Sequence, residues 1–179
     1  MTLNEQLDRI FAARDRDDMQ PTIEALRHLE KTHPDDPRVL YEIGGAYDTA
    51  GEEQIAQSYY ERALSAGLSG DLLRRCYLQY GSTLRNLGEH VRSAEVFAQA
   101  RAEFPDSPSL AVFEAISLHA AGRADEAIAS LLEVVAGGIS SSDINRYKPA
   151  IRGNAHYIRS LATAPSATAA KNSVETPTP

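Results

Sequence analysis

Three glycines, Gly44, Gly45 and Gly51, crowd the stretch YEIGGAYDTAGE and are the first residues in this sequence whose type and spacing could do chemistry. Such clusters can cradle phosphate, because backbone N–H groups reach an anion only where no side chain intervenes. A phosphate loop needs Gly-x-x-x-x-Gly-Lys-Ser/Thr after a strand, or Gly-x-Gly-x-x-Gly between strand and helix. No lysine or strand pattern follows Gly51. The other candidates carry less. His28, His33, His90, His119 and His156 form no metal-ligand spacing. DRDD at 15–18 lacks the glycine and distal glutamate of a calcium loop and reads as a turn between helices. Cys76 lies among apolar residues, which favours burial over nucleophilic work. There is no Gly-x-Ser-x-Gly, and no carboxylate pair stands out in so charged a chain. No catalytic, cofactor-binding or metal residue is therefore expected, and enzymatic activity has no support.

The elements that would position such residues are bounded by composition. At 179 residues and 42% apolar content the chain fits one domain with a sizeable core. No apolar run reaches the ~18 residues of a membrane span, and the N-terminus does not read as a secretory signal. With one cysteine, these features favour the cytoplasm. The net charge of −7 is uneven: residues 1–141 hold 23 acidic and 13 basic residues, whereas residues 142–161 set one acidic residue against four basic ones. An acidic body argues against nonspecific nucleic-acid binding, which draws on phosphate neutralisation. Only three of the 18 basic residues are lysines, a bias that points to a GC-rich bacterial genome.

A repeat organises the chain. Gly51, Gly88 and Gly122 each precede a polar turn, in TAGEEQ, NLGEHV and AAGRAD, 37 and 34 residues apart. Seven residues before them stand Gly44, Gly81 and Ala115, all small; four before stand Tyr47, Leu84 and Leu118, all bulky. Five after come Ala56, Ser93 and Ala127, and nine after come Tyr60, Phe97 and Leu131. Each unit therefore reads as two helices around a glycine that closes the first. Antiparallel helices about 8–10 Å apart need small residues where their axes approach, which explains Gly44 and Gly81. Gly45 has no such counterpart, since Ser82 and Ile116 occupy its place; it opens room for a ligand's backbone or is simply tolerated.

These units resemble the tetratricopeptide repeat. The matching residues are Leu40, Ile43, Gly44, Tyr47, Ala56, Tyr60 and Ala63, then Tyr77, Tyr80, Gly81, Leu84, Ser93, Phe97, Ala100 and Pro105. A third unit departs from the pattern at Ala111 and Glu114, and a degenerate unit with Pro21 in its second helix precedes them. The resemblance covers about residues 3–141, and the chain looks like small bacterial proteins built almost entirely from such repeats. It implies an all-α, right-handed solenoid over 1–161, with units at about 3–36, 37–70, 74–107 and 108–141 and a capping helix at 142–161. Residues 162–179, rich in Pro, Thr, Ala and Ser, read as a disordered tail.

On the family's geometry the first helix of each unit lines a concave groove. The residues expected there include Arg38, Tyr41, Glu42, Gly45, Asp48 and Thr49, then Arg75, Gln79, Ser82 and Arg85, then Phe113, Ile116 and His119. Arginines beside an apolar patch suit an extended peptide with an acidic group and an apolar anchor. The bland alternative is an ordinary solvated face, or a groove filled by another helix of the chain. Some members of the family clamp the C-terminal carboxylate of chaperones, but Tyr41, Gly45, Ser109 and Phe113 stand where that clamp needs lysine, asparagine, lysine and arginine. A chaperone partner is therefore not expected. In SSSDINRYKPAIRGNAHYIRSL, the residues Ile144, Tyr147, Ile151, Ile158 and Leu161 mark an amphipathic helix that Pro149 kinks or divides. As a cap it should turn a polar face outward; a basic surface for an acidic partner or nucleic acid, or a lid over the groove, are its alternatives. The expected function is a non-enzymatic protein-interaction module with no cofactor. The rivals are a structural or self-associating subunit, and nucleic-acid or regulatory binding through the basic terminal helix.

Overall fold

In the computed structural model, which describes residues 1–163, the only regular structure among those residues is helix. The elements are α1 (Leu3–Ala13), α2 (Gln20–Glu30), α3 (Pro37–Thr49), α4 (Glu53–Ser65), α5 (Gly70–Asn86), α6 (His90–Glu103), α7 (Pro108–Ala120), α8 (Ala124–Gly138) and α9 (Ser142–Thr163). The fold is an all-α helical repeat solenoid. Residues 164–179, most of the expected tail, lie outside the described residues.

The starts of these helices follow from local chemistry. Thr2 and Glu5 form a reciprocal capping box at α1. At α3 the Asp36 carboxylate accepts from the Arg38 and Val39 N–H groups, both at 3.0 Å, and Pro37 fills the first turn, where its missing N–H costs nothing. Ser107 and Pro108 repeat the device at α7. The ends repeat as well. Gly51, Gly88 and Gly122 adopt φ of +80°, +81° and +76°, in the left-handed region that a side chain disfavours. In each case the next residue's N–H reaches back to the helix's last turn: Glu52 to the Tyr47 carbonyl, Glu89 to Leu84 and Arg123 to Leu118, all at 2.9 Å. DRDD lies in the α1–α2 connection, where the Asp15 and Asp18 carboxylates accept from the Asp17 and Gln20 N–H groups.

The helices pair as α3 with α4, α5 with α6 and α7 with α8, and each pair stacks on the next. A Cβ placed on Gly44 would lie 2.8 Å from the Tyr60 ring, and one on Gly81 2.5 Å from the Phe97 ring. Both rings are fully buried. Helix packing is thus what these glycines serve. Cys76 is buried as well, and burial pushes its thiol up to about 12.

The C-terminal end departs from expectation. Leu131, equivalent by register to Tyr60 and Phe97, is 41% exposed. Helix α9 packs on α8 and runs unbroken through Pro149 to Thr163, so that proline does not divide it into two segments. Its buried line contains Ala155, fully enclosed, with Ile144, Ile151 and Ile158 half-buried. Tyr147 and Leu161, expected on the inner stripe, are 52% and 45% exposed, because that stripe turns toward α8 about Ala155 and leaves them on a flank. The outer surface of α9 is not uniformly polar.

Candidate functional site

The groove begins with α1. This helix packs on α2, holding Leu7 in the core while Ile10 and Phe11 look over the cavity beside it. The amphipathic spacing of Leu3, Leu7 and Ile10 makes that placement intelligible: one stripe seats the helix, and its edge remains available. Arg38 fastens the arrangement. Its guanidinium donates to Asn4 Oδ1 at 2.9 Å and to the Asp8 carboxylate, and it lies 3.8 Å from Glu42. Arg38 was expected to face a ligand and is instead engaged with α1.

Between α1, α2, α3 and α5 lies a cavity of about 210 Å³. Tyr41, Glu42, Gly45, Thr49, Arg75 and Gln79 line it together, so six of the expected groove residues converge. Leu7, Ile10, Leu26 and Leu78 add an apolar lining, and Arg14 and Arg16 join Arg75 as its cations. The Arg14 guanidinium sits 3.6 Å from the Phe11 ring centroid, and Arg75 Nε is 2.7 Å from Asp71. Within the same cavity Glu42 is largely enclosed, and burial raises its carboxyl above the usual range, with Arg38 and Arg14 opposing that shift. Burial likewise raises the Tyr41 phenol. Gln79 Oε1 is buried without a hydrogen-bond partner among the described residues. A buried acceptor left without a partner costs about 1–3 kcal/mol.

Gly45 is what keeps this space open. A Cβ there would meet only the Tyr60 hydroxyl, at 3.9 Å, so its lack of a side chain is not a packing requirement. Its neighbour Gly44, one residue earlier, faces into the helix pair, against the Tyr60 ring and Tyr59 Cβ.

The remaining expected residues do not join the cavity. Asp48 points inward, accepting from the Tyr60 hydroxyl at 3.2 Å and from Thr83 Oγ1 at 3.1 Å, and so ties α3, α4 and α5 together. Burial raises its carboxyl, and those two hydrogen bonds lower it in part. Phe113 packs against the core formed by Tyr77, Phe97, Ala100 and Leu110. Arg85 Nη1 reaches Ser117 Oγ at 3.5 Å, and burial lowers its pKa. His119 and Ile116 are exposed. The groove therefore divides into a lined cavity toward α1 and an open surface toward α7. What sequence reasoning missed is the contribution of α1 and the α1–α2 connection. The apolar edge at Leu7, Ile10 and Phe11 was the available signal, hidden because that unit departs from the repeat pattern.

Chemically, such a site can hold and orient a chain segment. Among the described residues no cluster of His, Cys, Asp and Glu could hold a metal ion, and no helix is long and apolar enough to cross a membrane. A family model described as "Tetratrico peptide repeat" matches residues 37–158, more than half of the 179 residues. The chain belongs to the tetratrico peptide repeat family. The match extends past 141 into α9 and leaves out α1 and α2, the two helices that close one side of the cavity. No curated protein gives a significant match to the chain. Repeats of this family generally mediate protein–protein interaction and are typically non-enzymatic.

Proposed function

We propose that this protein is a non-enzymatic binding module that takes an extended segment of a partner protein into the cavity between α1, α3 and α5. An apolar side chain of the segment rests among Ile10, Phe11 and Leu78, and an acidic side chain meets Arg14, Arg16 and Arg75. The observation that carries this reading is the convergence of Tyr41, Gly45, Arg75 and Gln79 on one cavity with a buried, unpartnered acceptor. Its volume of about 210 Å³ falls below the ~300–1,000 Å³ usual for small-molecule sites, which favours a side-chain anchor over a whole small ligand. A cytoplasmic setting goes with this reading, as Cys76 is the single cysteine of the sequence.

The test is capture from a lysate of the source cells by the immobilised chain, by a Gly45→Leu variant and by an Arg75→Glu variant. Leucine at 45 fills the cavity without a clash at Cβ, so circular dichroism and unfolding should match or exceed the parent. A protein held by the parent and lost by both variants supports the reading. Capture that is indifferent to both would refute it.

A further inference from the structure

The residues of α8 divide by direction. Ala127 shares a small core with Ala94, Ala115 and Leu118, and Ser130 Oγ donates to the Ala111 carbonyl at 3.5 Å, so this side faces α6 and α7. Glu126 shares a crevice with Arg101, Glu114 and Arg159, which marks the side toward α6. On the helical wheel Ile128 and Leu131 point away from α6, and they are 48% and 41% exposed. Helix α9 divides the same way. Its inner line passes through Ala155, and Arg159 on one flank reaches the α6 crevice. The other flank carries Tyr147, Ala150, Asn154, Tyr157 and Leu161, at spacings of three and four residues in alternation. Its tyrosines are 52% and 61% exposed and Leu161 is 45% exposed. Because α9 runs antiparallel to α8, this flank and the Ile128–Leu131 side look the same way, outward from the last repeat. Neither line contains a charged residue.

We propose that this end face binds a second copy of the chain, end to end across a two-fold axis. Within the molecule the equivalent place on each earlier unit is covered by the next helix: Tyr60 lies against Tyr80 of α5, with ring centroids 6.4 Å apart, and Phe97 lies against Leu110 of α7. What the end face lacks is therefore a helix with an apolar seam, and α9 of a second copy supplies one. The alternating three-and-four spacing is that of helices packed side by side, and Asn154 sits mid-seam, where one polar residue sets register. Charge fits the same occupant. Two chains of net charge −7 repel over most of their surfaces, whereas these two lines carry no charged residue, with the Arg146 guanidinium 5.8 Å from the Tyr147 ring centroid at their edge. A two-fold contact sets a face against itself, so it requires no opposite charge.

Sedimentation equilibrium on the full chain over a wide concentration range tests this. The parent is compared with a Tyr147→Asp, Tyr157→Asp double variant and with Val91→Asp, a control at a 69% exposed position on α6. Circular dichroism checks the fold, and Ile128→Lys reads the same face from α8 if the double variant loses helix. The parent and the control should approach twice the mass of one chain. The face variants should associate more than about a hundredfold more weakly, since they bury charge in an apolar seam. A parent that keeps the mass of one chain at every concentration overturns the proposal and leaves the face to another protein. Association of the face variants equal to the parent's overturns it too. Either result leaves the groove reading untouched.

Discussion

Tyr60 and Phe97 hold the same place in their repeats as Leu131, yet the first two are fully enclosed and the third is 41% exposed. All three lie on the second helix of a pair and oppose a small residue on the first, at Gly44, Gly81 and Ala115. The difference is the helix that follows. Helices α5 and α7 stack over the first two rings, whereas α9 packs along α8 without covering Leu131. In a solenoid the burial of a residue is thus set as much by the next unit as by its own.

The sharpest way to break this comparison is truncation on either side of it. Phe97→Ala should cost about 3–5 kcal/mol, as a cavity opens between three helices. Leu131→Ala, measured on dilute chain, should cost about 1–2 kcal/mol, because that residue stays 41% exposed in the folded chain. Equal losses in urea unfolding would show that the end of the solenoid is better covered than its exposure indicates.

The glycines come next in size. Gly81→Ala and Gly44→Ala should each cost about 1–3 kcal/mol by overpacking, with Gly81 the worse because its Cβ would lie 2.5 Å from Phe97, against 2.8 Å from Tyr60. Gly45→Ala should instead gain up to about 1 kcal/mol from helix propensity. Thermal midpoints that fall for all three variants would end the distinction between packing glycines and a cavity glycine.

The smallest effect is a pH dependence in the last unit. Glu114 occupies a place where the repeat pattern usually has an apolar residue, and burial raises its carboxyl while Arg101, 3.5 Å away, opposes that. A carboxyl whose folded pKa is raised disfavours folding while ionised, and that cost disappears once protonation is complete below the unfolded value. Relative to Glu114→Gln, the parent should therefore gain stability as pH falls from neutrality through the raised pKa. A difference that is flat with pH, or that grows in the opposite sense, would contradict the assignment of burial as the leading cause.

Much of the fold was legible because its devices are local. Asp36–Pro37 and Ser107–Pro108 start helices, Gly51, Gly88 and Gly122 end them, and size alternation at 44, 60, 81 and 97 sets the pairing. The site was legible in part, since Tyr41, Gly45, Arg75 and Gln79 share one face by register alone. What stayed hidden depends on tertiary placement. Asp48 turns inward because Tyr60 and Thr83 offer it hydrogen bonds across helices, and Arg38 is engaged by Asp8 and Asn4 of a helix more than two dozen residues away. Tyr147 and Leu161 fit an amphipathic stripe equally well on either side of Ala155, and only the packing of α9 on α8 decides between them.

The central claim is that recognition sits at the α1 end of the groove. Hydrogen exchange on the chain, alone and with the partner that the capture experiment identifies, addresses it most directly. The account predicts slowed exchange in residues 7–16, 41–49 and 75–79, with residues 142–163 unchanged. Protection confined to α8 and α9, with the cavity residues exchanging as in the free chain, would contradict it.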